Sequence, residues 1–177
     1  KLSCVARLEN DAALAALGEA HYGAGKGFGI VGYIGVGTGV GGARIVDGHI
    51  DKNAMGFEIG HQIINEENKI IQDYLSGKLI EKKYQKLPSE VKDKEMWDSA
   101  AHILAIGVNN LLVHWSPDVV VLGGSLINDE WGISVNQVRA RLNEIVKIYP
   151  HIPEVKSATV KDQAGLYGAL AFLKQNT

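Results

Sequence analysis

Four clusters in the 177-residue chain carry groups able to do chemistry. Asn10-Asp11 sets a carboxamide beside a carboxylate, just ahead of the alanine-rich run Ala12 to Ala20. A carboxylate placed there can take a proton from a bound hydroxyl. The alternative is that the pair only caps a helix, which Asn and Asp do well. Gly35-Val36-Gly37-Thr38-Gly39-Val40-Gly41-Gly42 puts five glycines and one threonine between two apolar runs. A strand gains nothing from so many glycines, since each gives up side-chain packing. What they offer is backbone N–H groups that can approach an anion closely, with the Thr38 hydroxyl beside them. A glycine-rich bend is the competing reading. Glu58 and His61 flank Gly60, and a carboxylate with an imidazole on one loop could grip a polyhydroxylated ligand or stand as a solvated pair. Gly123-Gly124 follows the apolar run Val119-Val120-Val121-Leu122, at the carboxyl end of a strand, where ligands of α/β sheets bind.

The elements that must position these clusters follow from periodicity and punctuation. Leu2 to Ala6 reads as a short strand within Lys1 to Leu8, and the alanine-rich run as a helix. Ile30 to Val36 and Ala43 to Val46 read as strands, with Asp47-Gly48 as a tight turn. Gln62 to Asn65 is compatible with a brief strand. Helical spacing then covers 68–87, with Gly77 as a break. Lys78 to Lys94 reads as a solvated face, and Pro88-Ser89-Glu90 as a turn and helix start. Glu95 to Trp115 is the longest helical pattern, carrying His102 and His114 as core or edge histidines. Asn128 to Tyr149 predicts another helix, Val155 to Val160 a strand and Ala164 to Leu173 a closing helix. Strand–helix alternation after the hairpin implies an α/β layered domain.

Two phosphate motifs fail on inspection. Gly23-Ala-Gly-Lys26-Gly-Phe-Gly29 lacks the Ser or Thr that follows the lysine of a P-loop. Gly37, Gly39 and Gly42 match the dinucleotide fingerprint, but a strand follows them where a helix is required. The composition excludes other classes. A net charge of −2 gives no support for nucleic-acid binding, and Cys4, the single cysteine, excludes an internal disulfide and any multi-cysteine metal site. At 46% hydrophobic and 21% charged residues the chain is ordinary for a globular protein. With no apolar run long enough to span a bilayer and no signal peptide, a cytoplasmic location is the expectation. The chain starts at Lys1 without a methionine and reads as a piece of a longer protein.

In chain order, Asn10-Asp11 opening an Ala-rich helix, Gly35-x-Gly-Thr-Gly-x-Gly-Gly42, Glu58-x-Gly-His61 and Leu122-Gly-Gly124 resemble the ROK family of repressors, open reading frames and kinases. Gln163-Ala-Gly-Leu-Tyr-Gly-Ala169 is similar to that family's closing helix. The resemblance covers essentially the whole chain. It implies the actin-like, ribonuclease-H-like ATPase fold, an α/β lobe with a mixed sheet and flanking helices. Residues 1–177 would be the carboxyl-terminal lobe. The first-lobe phosphate motif Asp-x-Gly-Gly-Thr does not occur in the chain, so an amino-terminal lobe of the same protein would have to supply it.

The roles it implies are specific. Asp11 would be the catalytic base and Asn10 a sugar ligand, with Glu58 and His61 contacting sugar hydroxyls. The Gly37-Thr38-Gly39 turn would hold ATP phosphates with Mg²⁺, and Gly123-Gly124 would border the adenosine pocket. Two departures matter. Zinc-containing members carry a cysteine cluster where this chain has Asn65-Glu66-Glu67-Asn68-Lys69, so no zinc is expected. Gln72 stands where a sugar-binding glutamate is common; it can donate as well as accept, which points to altered sugar preference or lost activity. The leading expectation is an ATP-dependent hexose or amino-sugar kinase, inactive as this fragment alone. The alternative is the sugar-sensing domain of a ROK-type repressor. A homodimer is expected, with no membrane or nucleic-acid contact by this segment.

Overall fold

The computed structural model describes residues 6–176. The strand expected at Leu2 to Ala6 lies almost wholly outside them, and Ala6 to Leu8 have irregular backbone. Five strands form one sheet in the order β3-β2-β1-β4-β5: β1 Ile30–Val36, β2 Val40–Val46, β3 His49–Ile50, β4 Val119–Gly123 and β5 Glu154–Ser157. The first three are antiparallel neighbours, whereas β1, β4 and β5 run parallel. Asp47 and Gly48 both have positive φ, 49° and 74°, as the two-residue turn between β2 and β3 requires.

Helices cover both faces. β4 is apolar at every position because it is buried on both sides. Val119 and Val121 pack with Leu17 of α1 (Asp11–Tyr22) and Ala171 of α5 (Ala164–Gln175). Val120 and Leu122 pack with Leu104 and Val108 of α3 (Lys94–Trp115) and Leu142 of α4 (Val135–Ile145). The first and last helices cross closely through glycine. A Cβ at Gly168 would lie 1.7 Å from the Leu14 carbonyl oxygen, and one at Gly18 would lie 2.1 Å from that of Ala164.

The same crossing buries a charge. Glu19 of α1 is fully buried. Its Oε2 accepts the N–H of Ala24 at 2.8 Å and of Thr159 at 3.1 Å, and its Oε1 accepts the N–H of Val160 at 2.7 Å. One carboxylate therefore ties the end of α1 to the connection between β5 and α5.

Several expectations change, among them the strand expected at Val155 to Val160, which spans Glu154–Ser157, and the one at Gln62 to Asn65, which is an isolated bridge at Ile63. The 68–87 pattern holds only one α-helix, α2 (Gly77–Tyr84), after a 3₁₀ turn at Ile71–Asp73. Asn68 has a positive φ, Ile70 bridges to Ile63, and Ser76 caps the helix, so Gly77 starts it instead of breaking it. The helix expected from Asn128 begins at Val135. Asn128 Oδ1 accepts the N–H groups of Glu130 and Trp131 in a local turn, and Ser134 supplies the cap. β2 starts at Val40, so the glycine pair Gly41-Gly42 is inside the strand. His102 and His114 are exposed on α3. Among the described residues no helix is long and apolar enough to cross a membrane.

Candidate functional site

The parallel neighbours β1 and β4 end side by side, and three grooves open around their carboxyl ends. The first encloses about 440 Å³ and is lined by Asn10, Asp11, Thr38, Gly39, Phe57, Glu58 and Gln72, among others. Residues from four separate stretches of the sequence thus face one space. The second, about 540 Å³, is lined by Asp11, Tyr33, Gly123, Gly124, Lys161 and Asp162. A third of about 450 Å³ runs between Gly37-Thr38, the start of α2 and Trp131.

Asn10 and Asp11 satisfy both readings open at the sequence level. Asn10 caps α1, its Oδ1 accepting the Ala13 N–H at 3.1 Å, and Asp11 Oδ1 accepts the Ala12 N–H at 2.8 Å. Being first in the helix, Asp11 is nonetheless exposed and lines two of the three grooves.

The glycine turn is narrower as an anion cradle than its glycine count suggests. Gly37 donates its N–H to the Gly39 carbonyl at 2.9 Å, and the Gly37 carbonyl accepts from Gly77 at the start of α2 at 2.8 Å. The Val40 N–H donates to Gln72 Oε1 at 3.0 Å. The Thr38 and Gly39 amides have no partner among the described residues, and Thr38 is exposed. A Cβ at Gly39 would lie 2.7 Å from Gln72 Oε1 and displace the latch. Gln72 therefore holds the turn through its oxygen while lining the first groove.

Glu58 lines the first groove, while His61 is outside its lining. The two side chains are both more than half exposed, with His61 Nδ1 3.5 Å from Glu58 Oε2. Gly123 and Gly124 line the second groove with Asp11 and are outside the first. Gly124 has φ +89° and a Cβ there would meet the Val36 carbonyl oxygen at 2.4 Å, so the position admits only glycine.

Sequence reasoning missed Tyr33, which lines the first and second grooves. Its phenol is pushed up to about 12, first by burial and then by the carboxylates of Glu19 and Asp11. Strand alternation was the available signal: Tyr33 falls on the same face of β1 as Gly35.

Comparison with known proteins bears on this arrangement. The chain matches the model of the ROK family over residues 1–176. It is 34% identical to an uncharacterized protein of Clostridium perfringens, covering 96% of this chain and 63% of that protein. It is 30% identical to an N-acetyl-D-glucosamine kinase of Yersinia enterocolitica, covering 94% of this chain and 66% of that one. A ROK family glucokinase from Streptomyces griseus, solved in complex with glucose and AMPPNP, superposes with a TM-score of 0.79 at 23% identity, over 96% of this chain and 68% of that one. That likeness shows the fold: an actin-like ATPase architecture with a mixed sheet and flanking helices. The chain spans just under two thirds of the length of the two relatives.

Proposed function

The chain belongs to the ROK family, and from that premise we propose that it is the carboxyl-terminal lobe of an ATP-dependent kinase acting on a hydroxyl of a hexose or amino sugar. One observation carries the reading: a single groove gathers Asn10, Asp11, Glu58 and Gln72 against the Thr38-Gly39 turn. The kinase relative and the glucose- and AMPPNP-bound neighbour support a sugar and ATP as the two substrates.

The proposed chemistry uses each residue type for what it can do. Asp11 takes the proton of the attacking sugar hydroxyl as that oxygen bonds to the γ-phosphorus. The bond from the γ-phosphorus to the bridging oxygen breaks, and ADP leaves with the electron pair. Asn10, Glu58 and Gln72 hold the other sugar hydroxyls, with His61 steadying Glu58 at the rim. The unpartnered Thr38 and Gly39 amides, with the Thr38 hydroxyl, meet phosphate oxygens, and Gly123-Gly124 leave room for the nucleotide beside Asp11. Among the described residues no three His, Cys, Asp or Glu side chains gather into a cation cage; Mg²⁺ bound with ATP would offset the charge of the transferring phosphate. The other half of the phosphate grip falls to an amino-terminal lobe, and the isolated chain is expected to be inactive. An exposed carboxylate at position 11, which a pure sugar sensor does not need, favours the kinase over a repressor's sensing domain.

The test is Asp11→Asn in the full-length protein, assayed against a panel of sugars with ATP and Mg²⁺. Turnover should fall by roughly 10²–10⁴-fold. Sugar-induced thermal stabilisation should persist. Unchanged turnover would remove Asp11 from the base role.

A further inference from the structure

At one spot β1 and β4 both omit a side chain. Gly35 and Gly123 are register partners at the carboxyl ends of the two strands, and the ring of Tyr33 lies over the pair. A Cβ on Gly123 would stand 2.5 Å from Tyr33 Oη, and one on Gly35 would stand 3.1 Å from the ring edge at Cε1. The two glycines thus form a slot that holds the phenol against the sheet. Because Tyr33 precedes both along the strand direction, the slot aims the hydroxyl at the strand ends, where the grooves open.

The residue is only 5% exposed. The Tyr33 hydroxyl has no protein partner among the described residues and is not sealed from water, and the residue lines the first and second grooves, both of which Asp11 also lines. Burial with the Glu19 and Asp11 carboxylates holds the phenol protonated to about pH 12, so it donates at any physiological pH and never presents a charge. A neutral donor without a partner, beside a carboxylate, suits an anion that passes through and must not be held permanently. The alternative, a ring that merely fills the slot, needs no hydroxyl at all.

Resting on the kinase reading above, we propose that the Tyr33 hydroxyl donates a hydrogen bond to the phosphoryl group in transit between the two grooves and is a catalytic residue of the transfer. It moves no proton. The sugar hydroxyl's proton goes to Asp11, and Tyr33 bonds a non-bridging oxygen as charge builds on it.

Tyr33→Phe in the full-length protein tests this, since phenylalanine keeps the ring in its slot. We expect kcat to fall about 10²-fold while KM for sugar and for ATP stays within about twofold. The extra thermal stabilisation that sugar, ADP and aluminium fluoride together give over sugar and ADP should disappear, with the shift from sugar alone retained. Turnover within about threefold of wild type would overturn the proposal. So would a raised KM with kcat kept, or a fluoride increment that survives the substitution. An active wild type with an equally active variant sinks only the role of Tyr33; a wild type that turns over no sugar in the panel removes the kinase reading and this role with it.

Discussion

Glu19→Gln isolates what one buried charge contributes to this fold. The wild-type carboxylate is fully buried and accepts three backbone N–H groups, two on Oε2 and one on Oε1. Glutamine keeps one oxygen and turns the other into an NH₂ donor. With the NH₂ at the Oε2 position it faces the amides of Ala24 and Thr159; flipped, it faces Val160. Either way at least one buried amide loses its acceptor. Hydrogen bonds to a charged group contribute about 1.5–3 kcal/mol each. The surviving bonds weaken as the acceptor becomes neutral, while the cheaper burial of an amide offsets part of the loss. The net is about 2–4 kcal/mol. For a chain of this size 1 kcal/mol corresponds to roughly 2–4 °C in Tm, so a fall of about 4–16 °C is expected in thermal unfolding followed by circular dichroism. A fall under about 2 °C would refute the reasoning and mean that water or backbone movement replaces the carboxylate.

Other outcomes follow from the same geometry. Gly168→Ala should lower Tm by several degrees, because its Cβ would sit 1.7 Å from the Leu14 carbonyl oxygen and backbone must move. Gly165→Ala, one turn earlier with nothing within 4 Å, should raise stability by up to about 1 kcal/mol through helix propensity; equal effects at the two sites would show that the crossing is not tight. For Tyr33, a folded value of about 12 against an ordinary 10.0 means the native state binds the proton more tightly. That stabilisation is complete below about pH 10 and is lost as pH rises toward 12, by about 3 kcal/mol. Urea unfolding across that range should show this slope in wild type and a shallower one in Tyr33→Phe.

What was legible in the sequence was local. The strand at Ile30–Val36, the Asp47-Gly48 turn, the apolar β4 and the Ala-rich α1 each carry their signal within a few residues. Helix starts were misread where a side chain diverts the backbone: Asn68 in a positive-φ turn, and Asn128 holding two amides ahead of α4. The motif residues Asn10, Asp11, Thr38 and Glu58 line one groove, a grouping that no local pattern encodes, and His61 is outside its lining. The roles of Gln72 and Glu19 were hidden because their partners are remote, Val40 lying 32 residues away and Val160 lying 141. No propensity or periodicity encodes such pairs. Only the folded topology supplies them.

The contact between α1 and α5 also sets an order of events in time. The carboxylate in the last turn of α1 finds Thr159 only 140 residues later. At ribosomal rates of about 5–20 residues per second, that wait is on the order of ten seconds. Until then Gly18 lacks the α5 backbone it packs against and Glu19 holds only the Ala24 N–H, so the face carrying Asp11 and Tyr33 waits for α5. A ribosome pausing before α5 has emerged would hold a nascent chain whose other helical layer, α3 and α4 on the sheet, can already be packed. Holdase binding and premature proteolysis during synthesis would then concentrate on the α1 side of the sheet.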